Sequence, residues 1–207
     1  VINLAYEKNI LDTLYANTLV VTEFKNSSLY NIAKKNNCLL LEHQKDIGGR
    51  YSIFSNVGMI PAIIAGLDVK KIHQGALSII NKNNFTNTFK FAQLYRFCND
   101  NNFLSNVIMT YSDGLNYFGK WYLQLWAESI GKKNRGITAL HATGTTDQHS
   151  QLQLYLDGPK DKFFTFIKSN YKNKGLKINS EIMRGESVNY LVDKTMGDLM
   201  HAEQNAT

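Results

Sequence analysis

The chain has 207 residues, 43% of them apolar, enough to bury a real core and to exclude disorder as the default. Its net charge of +6 comes from lysines scattered among asparagines, as at Lys34-Lys35-Asn36-Asn37 and Lys172-Asn173-Lys174. No continuous basic stripe forms, which argues against a nucleic-acid partner and suits a small anionic ligand. The longest apolar run, 57–67, is too short to span a bilayer and contains Pro61, so no membrane partner is expected.

Taken in order, residues 1–17 read as a leading helical segment. Short apolar or β-branched runs at 18–23, 38–43, 106–112, 136–142 and 163–169 read as strands. Helical patterns occupy 27–36, 61–67, 70–82, 87–100, 114–130, 147–157 and 189–204. Pro61 fits the first position of its helix, where a missing N–H costs nothing. In 87–100 the apolar face is expected at Phe89, Ala92, Leu94 and Phe97. Strand–helix alternation predicts the α/β class: a doubly wound parallel β-sheet flanked by helices on both faces. Cys38 and Cys98 show neither metal nor disulfide spacing and read as reduced thiols. With no signal peptide in the sequence, they place the protein in the cytoplasm.

In open parallel sheets, ligands gather beyond the carboxyl ends of the strands, which directs attention to the loops after 43, 112 and 142. The first reads "HQKDIGGRYSIFSNVG". Gly48 and Gly49 allow close backbone approach, and Arg50 supplies a planar cation for an oxyanion; a tight turn with a solvated arginine is the structural alternative. In the helix 114–130, Phe118, Trp121, Tyr122, Leu125 and Trp126 form an apolar face, beside a polar stripe of Tyr117, Lys120, Gln124 and Glu128. Glu128, beside the tryptophan face near the helix C-terminus, suits proton abstraction; a surface pair with Lys132 is the alternative. In "HATGTTDQHSQLQLYLDG", residues 141–158, Gly144 allows a sharp turn, Thr145 or Thr146 can cap the next helix, and Gln148 stands at capping-box spacing from Thr145. His149 remains as a proton-exchanging group, or else as a satisfied core histidine. Metal-hydrolase, P-loop and dinucleotide motifs are missing, which lowers metal hydrolysis and nucleotide binding in rank.

In order, "IGGRYSIFSNVG", "QLWAESIGK" and "GTTDQHSQLQ", closing with Gly158-Pro159, resemble the glucose-6-phosphate isomerase (phosphoglucose isomerase) family. "SNVGMIPAIIAGLD" and "MGDLMHAEQNAT" resemble its shorter bacterial form, and the likeness covers residues 18–207. The resemblance implies sugar-isomerase (SIS) domains, with 18–188 as one SIS domain carrying the motifs and 189–207 as the start of a C-terminal helical segment. It implies interconversion of glucose 6-phosphate and fructose 6-phosphate through a cis-enediol(ate), without cofactor. In that reading Glu128 is the C2/C1 base and Arg50 stabilises the intermediate. His149, lent by a neighbouring subunit, opens the ring, while Gly49, Gln124, Thr145 and Gln148 bind substrate. The family also uses a serine/threonine-rich phosphate loop and a lysine-bearing tail, neither of which is matched here. The chain is therefore expected to be partial and weakly active alone. Its partners would be a sugar phosphate and either a second copy or a complementing missing domain. A non-catalytic sugar-phosphate-binding or vestigial SIS domain is the alternative.

Overall fold

The structure, a computed structural model, describes residues 1–81, 85–181 and 186–207. Residue 82, the last of the helix predicted over 70–82, lies outside them. The chain divides into two compact units, Val1–Thr88 and Phe89–Thr207. The expected span 18–188 therefore includes residues of both.

The first unit contains α1 (Ile2–Glu7), α2 (Leu11–Ala16), β1 (Leu19–Thr22), α3 (Ser28–Lys35), β2 (Leu39–Glu42), a 3-10 helix Gly49–Phe54, α4 (Asn56–Ile64) and α5 (Val69–Asn81). β1 and β2 pair in parallel, Leu19 opposite Leu39 and Thr22 opposite Glu42. Ser27 caps α3 by accepting from the Tyr30 N–H at 3.3 Å. Pro61 does not open its helix. α4 starts five residues earlier because Ser55 accepts from the Val57 N–H at 3.3 Å, and the proline sits inside at the loss of one backbone bond. Buried apolar side chains here are few and small, Ala5, Ala33 and Ala62, while Leu39 is 61% exposed.

α6 (Phe85–Asp100) leads into the second unit, which continues with β3 (Ser105–Thr110), a 3-10 turn Asp113–Leu115, α7 (Asn116–Ile130), β4 (Thr138–Thr143), α8 (Thr146–Asp157), β5 (Lys162–Ile167), a 3-10 helix Glu186–Leu191 and α9 (Met196–Ala206). β3 lies between β4 and β5, parallel to both, with Ser105 opposite Thr138 and Lys162. The expected strands all form, and they are parallel. They are distributed over two sheets rather than joined in one.

Strand alternation sorts this core onto two faces. Asn106, Thr110, Ala139, His141 and Phe163 meet α6 and α7. Val107, Met109, Tyr111, Ala142 and Phe164 meet α8 and α9. The sheet is thus covered on both sides, as a doubly wound fold requires. On the first face Trp126 is the hub. Tyr95 meets it edge-on at 4.7 Å, Phe91 at 6.5 Å, and its indole N–H donates to the Ile137 carbonyl at 2.7 Å.

The face of α6 differs from expectation. Phe91, Tyr95 and Cys98 turn inward, and Phe89, Leu94 and Phe97 are exposed. The helix carries apolar residues on two sides, and only contact with Trp126 selects between them. Burial raises the Cys98 thiol above its ordinary range. The last helix begins at Met196 rather than 189. Thr195 and Asp198 form a reciprocal capping box there, a spacing visible in the sequence. Among the described residues no helix is long and apolar enough to cross a membrane.

Candidate functional site

In the first unit, the 3-10 helix after β2 carries Gly49 and Arg50. The segment is tied back to the strand by the Asn56 side-chain amide, which donates to the Glu42 carbonyl at 3.0 Å. His43 Nε2 lies 3.0 Å from the Ile47 carbonyl, and the Ser52 hydroxyl donates to the Gly49 carbonyl at 2.7 Å. The half-buried Arg50 places its guanidinium over the Tyr51 ring, 4.5 Å from its centroid, a cation–π contact. No atom lies within 4 Å of where a Gly49 Cβ would stand, so the backbone is open to a ligand.

In the second unit, the expected polar stripe of α7 is exposed at Tyr117, Lys120, Gln124 and Glu128. The Gln124 amide donates to a Glu128 carboxylate oxygen at 3.0 Å, one turn away, so the two side chains form a single unit on the helix surface. The turn of α7 holding Glu128 lies at the amino end of β4, because Trp126 is bonded to Ile137. Earlier in α7, Gly119 packs against the His141 ring; a Cβ there would stand 2.2 Å from its Cδ2. His141 Nε2 is 3.0 Å from the Thr110 hydroxyl. Burial holds His141 below its ordinary range, against an upward pull from Asp147.

At the carboxyl end of β4 stand Thr145, Gln148 and His149. Thr145 occupies the N-cap position of α8, yet its side chain makes no capping bond, so the expected capping box does not form. Asp147 does the anchoring instead, accepting the Thr143 N–H at 2.7 Å and the Ser150 hydroxyl at 3.2 Å. The carbonyl oxygen of Gln148 accepts from the Tyr111 phenol at 2.7 Å. Gly144 is needed for contact rather than for its turn. Its φ is not positive, and a Cβ would lie 2.5 Å from the Tyr111 ring. His149 is exposed, not a core histidine.

Glu128 and His149 are therefore not brought together within one chain. They lie on helices that cover opposite faces of the sheet and at opposite ends of β4, roughly 20 Å apart along the strand from its rise per residue. α7 runs back antiparallel to β3 and so carries Glu128 away from the carboxyl ends of the strands, where His149 stands. Tyr111, Gly119 and His141, which set these helices, were not singled out from sequence. A tyrosine closing an apolar strand carries no periodic signal of its partner 37 residues on. Among the described residues no group of three or more His, Cys, Asp or Glu is placed to hold a metal ion.

Residues 10–185 match the family model described as phosphoglucose isomerase. The chain is 35% identical over 197 residues to the glucose-6-phosphate isomerase of Rubrobacter xylanophilus, covering 93% of this chain and 46% of the relative. It is 38% identical over 191 residues to a probable glucose-6-phosphate isomerase of Methanococcus maripaludis, covering 90% and 44%. A crystal structure of a hypothetical protein from Thermus thermophilus superposes with a TM-score of 0.86 at 29% identity, over 98% of this chain and 52% of that one. The chain thus spans under half the length of these curated relatives.

Proposed function

The chain belongs to the phosphoglucose isomerase family, and from that premise we propose that it supplies catalytic groups for interconverting glucose 6-phosphate and fructose 6-phosphate. The observation that carries the reading is the exposed Glu128 carboxylate held by Gln124 on α7, within the span that matches the family. Glu128 takes the proton from C2, and the C–H electron pair forms the C1=C2 bond as charge develops on the C1 oxygen. The same carboxylate returns the proton to C1. The C2 oxygen becomes the ketone as its proton passes to the C1 oxygen, so the sequence is redox-neutral. A positioned base contributes about 10²–10⁴-fold, and a cation on the developing oxyanion about 10²–10³-fold. Arg50, its fork set over Tyr51, suits the second role, and the open backbone at Gly49 suits close approach of the sugar. Thr145 and Gln148 are the groups proposed to touch substrate beside His149.

The separation of Glu128 and His149 favours a site completed by a second copy, with His149 of one chain opening the ring bound at Glu128 of another. The test is proton exchange at C2 of glucose 6-phosphate in heavy water, followed by NMR. In an active assembly containing this chain, exchange is expected with the native residue and lost in Glu128→Gln. Exchange retained in that variant removes Glu128 from the role.

A further inference from the structure

The first turn of α8 lacks the side-chain cap that would fix most helix starts, and it carries the exposed His149. Two other contacts hold it. Asp147 binds back to the Thr143 N–H of β4. From the end of the neighbouring strand β3, Tyr111, wholly buried, donates its phenol hydrogen to Gln148, the residue beside His149. The Tyr111 ring also presses on Gly144 so closely that no side chain fits between them. A buried phenol needs an acceptor, and here the acceptor is a helix side chain rather than the strand's own backbone. The bond therefore couples the rigid centre of the sheet to one turn of one helix.

We propose that Tyr111 is a positioning residue. Through Gln148 it fixes the pitch and azimuth of the first turn of α8, and so the direction in which His149 is presented. The inference rests on the isomerase reading for what His149 then does, but the positioning itself is a property of this chain. It also gives the Gln148 carbonyl a structural task and leaves its NH₂ group to donate to a substrate oxygen.

The experiment compares Tyr111→Phe, Gln148→Leu and Gln148→Glu in the 207-residue protein. Phenylalanine keeps the ring against Gly144, and glutamate keeps an acceptor for the phenol. Amide hydrogen exchange at residues 147–150 is expected to rise about tenfold in Tyr111→Phe and Gln148→Leu, the loss of one ordinary hydrogen bond. In Gln148→Glu it should stay near the native rate. Exchange in β3 and β4 should not change, and the His149 ring resonances, read in ¹³C-histidine-labelled protein, should lose order only in the first two variants. Unchanged exchange at 147–150, or a rise spread equally over the strands, overturns the proposal. Failure of the isomerase reading would show separately, as C2 exchange of glucose 6-phosphate retained by Glu128→Gln in an active assembly containing this chain, with the α8 effects intact.

Discussion

Replacing Gly119 with alanine puts a methyl carbon 2.2 Å from His141 Cδ2 and 2.3 Å from its Nε2. Carbon contacts settle near 3.5–4.0 Å, so roughly 1.5 Å must be found. Either α7 lifts from β4 or the imidazole swings away and gives up the Thr110 hydroxyl. Overpacking costs about 1–3 kcal/mol and the lost hydrogen bond about 1 kcal/mol, whereas alanine returns about 1 kcal/mol of helix propensity. The balance is about 1–3 kcal/mol destabilising. At a urea slope of about 2 kcal/mol per molar, that lowers the midpoint by about 1 M. Trp121 and Trp126 both lie on α7 and make intrinsic fluorescence a direct assay of this unit. Gly75 on α5 is the control. No atom stands within 4 Å of its Cβ position, so the same change should stabilise by about 0.5–1 kcal/mol, read by thermal circular dichroism. Because Glu128 rides on α7, Gly119→Ala should also slow C2 exchange, since displacement by about 1 Å can cost on the order of 100-fold. A Gly119→Ala protein as stable as the native one would refute the packing argument.

Arg50→Ala should leave circular dichroism unchanged and abolish calorimetric binding of an enediolate analogue; undiminished binding removes Arg50 from the site. The sequence has no S-x-S-G-x-T-like phosphate loop, so the 207-residue chain alone should show little turnover in a coupled assay, because binding energy from the remote phosphate is missing. Turnover matching that of a relative of twice the length would contradict this. His141 gives a pH dependence. Its native value lies below the ordinary one of about 6.5, so the unfolded chain takes up the proton first. Stability is full above about pH 6.5 and declines as pH falls from there through the lowered native value. Urea midpoints at about pH 7.5 and about pH 5.5 should differ in that direction, and the gap should narrow in His141→Gln. An equal gap in the variant would assign the effect elsewhere.

Much of the fold was legible because the signal was local. The five strands are runs of apolar and β-branched residues, and the stripe Tyr117, Lys120, Gln124 and Glu128 follows from helical spacing alone. The Gln124–Glu128 bond is what that spacing predicts. Less legible were features in which local signals tie. Phe89 and Phe97 against Phe91 and Tyr95 on α6 are equal as hydrophobic faces, and only Trp126 decides between them. Pro61 reads as a helix start until the Ser55 cap overrides it.

From the sequence alone come the α/β class, the parallel strands and the family motifs, since each depends on neighbours within a turn or two. Tertiary structure alone decided how the strands divide into two sheets and where each motif points. It set Glu128 and His149 at opposite ends and faces of β4, and it held α8 by a phenol on another strand. These outcomes depend on chain direction and on contacts between residues far apart in sequence, which a periodic pattern does not encode.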